Sequence, residues 1–218
     1  MTERQKNRLF DILITYRHEL IPLVVNIEVY DGLWPIEILN EIRALLNHTA
    51  RIAEIERGGA GEAERERQID NELEGAFEHL KRGTLDGYKY YCISADDVYA
   101  EFAENTKGVN LSNVNDGAFE VELTRLHLAA RTALKEAKKI ENATIGDEIG
   151  PVIAAFENAY QCYDALTRHI EKSLAAVEHA KNVREQESKK AVLENRFGYI
   201  VGLGGIIVGL VGIAVNFL

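Results

Sequence analysis

Proline is scarce in this chain: three residues among 218, at positions 22, 35 and 151. So few breakers leave room for long uninterrupted helices, and the abundant Ala, Leu, Glu, Lys and Arg between them favour helix. Cysteine is scarcer still. Cys92 and Cys162 stand alone, with no paired-cysteine or Cys/His spacing, which excludes a zinc or redox motif. Both read as reduced thiols in a helical core. There is no glycine-rich phosphate loop either, so neither metal nor cofactor is expected and no residue is assigned a catalytic role. Basic residues are in the minority, 25 Lys and Arg against 35 Asp and Glu, for a net charge of −10. That balance argues against a surface that coats nucleic acid broadly, while leaving room for a local basic pocket.

Long uncharged runs are also missing until the last 22 residues, FGYIVGLGGIIVGLVGIAVNFL, 197–218. About 20 apolar residues cross a bilayer core of roughly 30 Å, so this stretch is expected to be a transmembrane helix. Arg184, Lys189, Lys190 and Arg196 precede it and place residues 1–196 in the cytoplasm by the positive-inside rule. The expected topology is a domain hung on a single C-terminal anchor. Gly198, Gly202, Gly205, Gly209, Gly212 and Asn216 follow one another at spacings of 4, 3, 4, 3 and 4. That repeat of 3.5 puts all six on one seam of a helix. Small residues let membrane helices approach closely, so the seam is expected to pack copies of the chain together. Around an axis the same seam serves a narrow pore or a closed bundle.

The remaining pattern is all-α. Helices are expected over about 2–30, with a bend near Pro22, over 35–57, over 65–105 with a break near 93–94, over 118–142, and from Pro151 onwards without interruption to Leu218. Residues 58–64 and 105–117, rich in Gly and Asn, read as connectors. The division follows as a helical bundle over 1–179, a charged helical stalk over 180–196 and the membrane helix over 197–218. In the second helix Ile38, Ile42, Leu45, Thr49 and Ile52 share an apolar face. In the third, Leu73, Phe77, Leu80, Thr84 and Tyr88 do so. In the last, Ala159, Cys162, Leu166, Ile170, Leu174 and Val177 do so.

Two polar rows lie beside these faces. Asn40, Arg43, Asn47 and Arg51 recur at helical spacing, with His48 adjacent. His79, Arg82, Asp86 and Lys89 do the same, with Lys81 adjacent. Such spacing also suits ion pairs, Asp86 with Arg82 or Lys89. Where the two helices meet, Arg43, Asn47, His48, Arg51, His79, Lys81, Arg82 and Lys89 are the candidate ligand-binding set. They would hold phosphates through guanidinium and ammonium groups, with Tyr88, Tyr90 and Tyr91 available to stack on bases.

RALLNH, residues 43–48, matches the Arg-x4-His pattern of HEPN ribonucleases, although Ala44 stands where a polar residue is frequent and the motif comes early in the chain. The resemblance implies His48 in proton transfer and Arg43 on phosphate. EILNEIRALLNHTAR and HLKRGTLDGYKYYC, together with the glycine-striped terminus, resemble the membrane-anchored channel effectors of bacterial anti-phage systems of the Hailong type. That likeness covers the layout and about 40 residues of motif. It implies a homo-oligomer, such as a tetramer, in the bacterial inner membrane. It also implies an oligonucleotide ligand made by a partner nucleotidyltransferase, held by Arg43, Arg51, Lys81, Arg82 and Lys89, and growth arrest when the assembly opens. Without that likeness, the same residues suit a membrane-anchored ribonuclease or a non-conducting scaffold.

Overall fold

The computed structural model describes residues 1–59, 61–144 and 149–215, with side chains up to Lys190 apart from Asp31 and Asn113. It is all-helical, and no strand occurs among the described residues. Helix α1 spans Glu3–Thr15, α2 Ile21–Asp31, α3 Ile36–Arg57, α4 Glu62–Asn105, α5 Ala118–Ala143 and α6 Ile149–Val215. No helix among the described residues is long and apolar enough to cross a membrane. The predicted span at 197–218 lies where no side chain is described. That places Gly198, Gly202, Gly205, Gly209 and Gly212 outside the described side chains, and Asn216 outside the described residues altogether.

Helix α1 opens with a capping box: Thr2 accepts from the Gln5 N–H, and the Gln5 side chain accepts from the Thr2 N–H. The bend foreseen near Pro22 takes the form of a π-turn over Tyr16–Leu20. Proline cannot donate to the His18 carbonyl, so the ladder slips by one, and the Ile21 N–H bonds Tyr16 O instead. Helix α2 stops at Gly32, whose φ of 71° is a left-handed cap. Pro35 caps α3, which begins one residue later than expected. Helix α4 starts at Glu62, inside the predicted connector, and runs 44 residues with no break near Ile93.

The chain divides into two compact units. The first comprises residues 1–104 and 122–171. Here α4 is the helix to which the others attach. Helices α1 and α2 run parallel to it: Gln5 Nε2 donates to Glu66 O and Asp70 Oδ1, both at 3.0 Å, Arg8 pairs with Glu74, and the rings of Tyr30 and Tyr91 meet at 5.7 Å. Helix α3 runs antiparallel to α4, with Tyr90 donating to Glu37 at one end and His48 meeting Glu72 at the other. Helix α5 is also antiparallel, from Lys89–Glu141 to the stack of Tyr99 on His127. Glycines make the close approaches possible. A Cβ at Gly87 would fall 2.5 Å from Leu23 Cδ2, and one at Gly83 would fall 3.2 Å from Glu41 Cβ.

Ile38, Ile42, Leu45 and Ile52 are buried as the α3 pattern required, whereas Thr49 is only partly buried. In α4 the pattern holds for Leu73, Leu80, Thr84 and Tyr88 but not for Phe77. Phe77 stays on the surface, with Lys81 Nζ 4.9 Å and Arg8 Cζ 5.8 Å from its ring centre. In α6 Ala159, Leu166 and Ile170 are buried, whereas Cys162 is only partly so. The bulk there comes from Phe156 and Tyr163, one residue out of phase with Cys162.

The second unit comprises residues 105–121 and 172–218. Leu111–Gly117 is a kinked 3-10 segment in which Asn115, Asp116 and Gly117 all take positive φ. Asn110 accepts from the Ser112 N–H and fixes its start. Arg184 donates to Lys107 O at 2.7 Å and lies against Gly108, where any side chain would collide with the guanidinium. In α6, Val177 is buried and Leu174 is 52% exposed.

Candidate functional site

Antiparallel packing brings the two predicted polar rows face to face, and it brings carboxylates with them. His48 Nδ1 lies 2.6 Å from Glu72 Oε2, across from α3 to α4. His79 Nδ1 lies 2.7 Å from Glu41 Oε2, across from α4 to α3. The two imidazole centres are 5.2 Å apart, and all four side chains are only about a fifth exposed. Gly75 is what admits His48. A Cβ there would sit 2.5 Å from Cε1 and 2.8 Å from both ring nitrogens, so the ring rests on bare α4 backbone.

Arginines complete the charge balance. Arg82 Nε is 3.2 Å from Glu41 Oε2, and Arg51 Nη1 is 3.8 Å from Glu72 Oε1. Arg82 Nη2 also approaches His79 Nδ1 at 3.0 Å, but that nitrogen gives its proton to Glu41, so Arg82 is paired through the carboxylate. Two carboxylates and two guanidinium groups leave the cluster with no excess charge while the imidazoles are neutral.

Lys81 and Lys89 are engaged too. Lys81 Nζ is 2.5 Å from Glu78, and Lys89 Nζ is 2.5 Å from Glu141 and 4.0 Å from Asp86. Burial raises the Asp86 carboxyl above its ordinary range, while Lys89 pulls it back down. Of the eight candidate ligand-binding residues, Arg43 and Asn47 alone have no hydrogen bond or ion pair among the described residues, and both are exposed. Arg43 is five residues before His48, about 140° away around the helix. The Arg-x4-His pair therefore does not converge within one chain. A polyanion at the α3–α4 face would have to displace Glu41 and Glu72.

A second feature was legible in the spacing and not singled out. Arg131, Lys135 and Lys138 recur at 4 and 3 on α5 and share one face. With Cys92, Ile93, Asp96 and Asp97 of α4 opposite, they line a cleft of about 630 Å³. All three cations are exposed and make no ion pair among the described residues. Tyr163 donates to Asp96 at 3.0 Å on the floor of the cleft. Burial pushes the Cys92 thiol up to about 12, so it is not a nucleophile at neutral pH. Among the described residues no group of His, Cys, Asp and Glu has the arrangement of a metal site.

Family models, curated proteins and solved structures all lack a match to this chain.

Proposed function

We propose that this chain is a homo-oligomeric membrane effector of bacterial anti-phage defence, gated by a nucleotide or oligonucleotide on its cytoplasmic helical domain. The observation that carries the reading is the uncharged, glycine-striped run at 197–218, reached through α6. Self-association has support in the helical domain as well. Val29 and Leu33 are about three-quarters exposed, and Phe10, Ile14 and Ile36 more than half, on α1, α2, the α2–α3 connection and the start of α3. Phe10 and Ile14, one turn apart on α1, share a face, and an exposed apolar face favours contact with another chain. Growth arrest follows from loss of the ion gradient when the assembly opens, and the ligand sets the balance by preferring one packing of the domains.

Ion flux across liposomes carrying the full chain tests this. The wild type should conduct, and Gly205→Leu with Gly209→Leu should abolish flux while insertion persists. Flux unchanged by the two leucines would overturn the seam, and no flux from inserted oligomers with or without nucleic acid would overturn the channel.

A second reading, RNA cleavage, draws on the His48–His79 pair. Two imidazoles 5.2 Å apart, each backed by a carboxylate, have the composition of a general acid and base. It requires RNA cleavage by the wild type that His48→Ala and His79→Ala each remove.

A further inference from the structure

We infer that the cleft between α4 and α5 binds a compact polyphosphate anion, of which a nucleoside triphosphate is the type. The inference names a ligand site for the regulation proposed above and rests on that reading for its consequence, though not for the binding itself.

Three observations converge on the cleft. The first is charge without partners. In a chain of net charge −10, almost every cation of the α3–α4 face meets a carboxylate. Arg131, Lys135 and Lys138 do not, although Glu136 lies within the same stretch, because Glu136 pairs with Lys139 instead. Three cations side by side repel one another, and an anion relieves that repulsion.

The second is reach. From Arg131 to Lys138 is seven residues, roughly 10 Å along a helix. That is the scale of a short phosphate chain and its sugar rather than of a polymer. The volume of about 630 Å³ falls within the range of small-molecule sites, roughly 300–1,000 Å³.

The third is the opposite wall. Asp97 is exposed and Asp96 is already engaged with the Tyr163 hydroxyl. Carboxylates there would repel the backbone of a long nucleic acid laid in the cleft. They suit the hydroxyls and amines of a nucleoside, as does the Asn142 amide at the far end of the cationic row. Ile93, half exposed, offers an apolar face beside them.

Binding of ATP and of inorganic triphosphate to the full chain in detergent micelles, by titration calorimetry, tests the assignment. Arg131→Ala, Lys135→Ala and Lys138→Ala combined should weaken both ligands at least tenfold with the circular dichroism unchanged. Arg57→Ala, an exposed cation at the end of α3, should leave them as they were. Lys135→Arg with Lys138→Arg should retain binding, which a merely structural role for the lysines does not predict. Failure of both ligands to bind at millimolar concentration overturns the site, and so does equal binding by the triple-alanine variant. A single-stranded 12-mer binding more tightly than ATP, and lost in the same variant, overturns the size assignment. Flux is measured separately: a non-conducting protein that still binds ATP here would sink the membrane reading alone.

Discussion

Replacing Gly75 with alanine tests whether His48 is pinned or merely resting. In a helix interior this exchange ordinarily stabilises by roughly 1 kcal/mol. Here the added methyl would lie 2.5 Å from His48 Cε1 and 2.8 Å from each ring nitrogen. The ring has to turn away, and turning breaks its 2.6 Å bond to Glu72. A hydrogen bond to a charged group contributes about 1.5–3 kcal/mol. The loss exceeds the gain, so Gly75→Ala should destabilise by about 0.5–2 kcal/mol. For a chain of this size each kcal/mol is a fall of about 2–4 °C in Tm. In a His48→Ala background the three closest contacts are gone, and the same exchange should stabilise by about 1 kcal/mol. The effect changes sign, and the difference is the coupling between the two positions. Urea unfolding of the four full-length proteins, followed by circular dichroism, measures the cycle. If Gly75→Ala stabilises equally in both backgrounds, His48 moves aside freely and is not pinned against the α4 backbone.

Gly87→Ala should cost about 1–3 kcal/mol by overpacking against Leu23, and Leu23→Ala should relieve it; an unchanged urea midpoint for the single variant would refute the tight contact. The pH dependence of stability has a marker at His127, whose pKa burial holds below the ordinary value while Asp96 pulls it partly back. Because the unfolded chain takes up that proton first, stability should fall as pH drops below about 6.5, and His127→Gln should flatten the fall. Parallel Tm profiles for the two proteins between pH 7.5 and 5.5 would remove His127 from that role.

The helices were legible because their signals are local. Gly32 marks a helix end, Pro35 a helix start, and the apolar stripe of α3 reads directly as Ile38, Ile42, Leu45 and Ile52. Less legible was anything that needs register between helices. The rows through Arg51 and Arg82 look basic in isolation, because Glu72 and Glu41 are supplied across the interface. No property of a single helix announces that Gly75 faces His48. Phe77 was misplaced as well: it fits the stripe of α4 but is left 38% exposed. Helix α4 begins inside GGAGEAE because Glu62 and Glu64 favour a first turn, outweighing the glycines before them. The cationic row of α5 carried the same 4 and 3 spacing as the rows that drew notice. What set it apart, cations left without an ion-paired carboxylate, only the packing reveals.

The π-turn at Tyr16–Leu20 works as a phase spacer. Before it, Gln5 and Ile12 are buried and Arg4 and Arg8 reach α4; its last residue, Leu20, is buried, and after it Leu23, Val24 and Ile27 are. One extra residue in the turn rotates everything upstream by about 100° relative to an unbroken α-helix. Deleting any single residue within the turn would leave a straighter and locally more regular helix. It would also turn Gln5 out of the interior and carry Arg4 and Arg8 off Asp70 and Glu74. The irregularity is therefore what lets two stretches with mismatched stripes share one partner. In this segment, perfect helical continuity and a complete interface are alternatives.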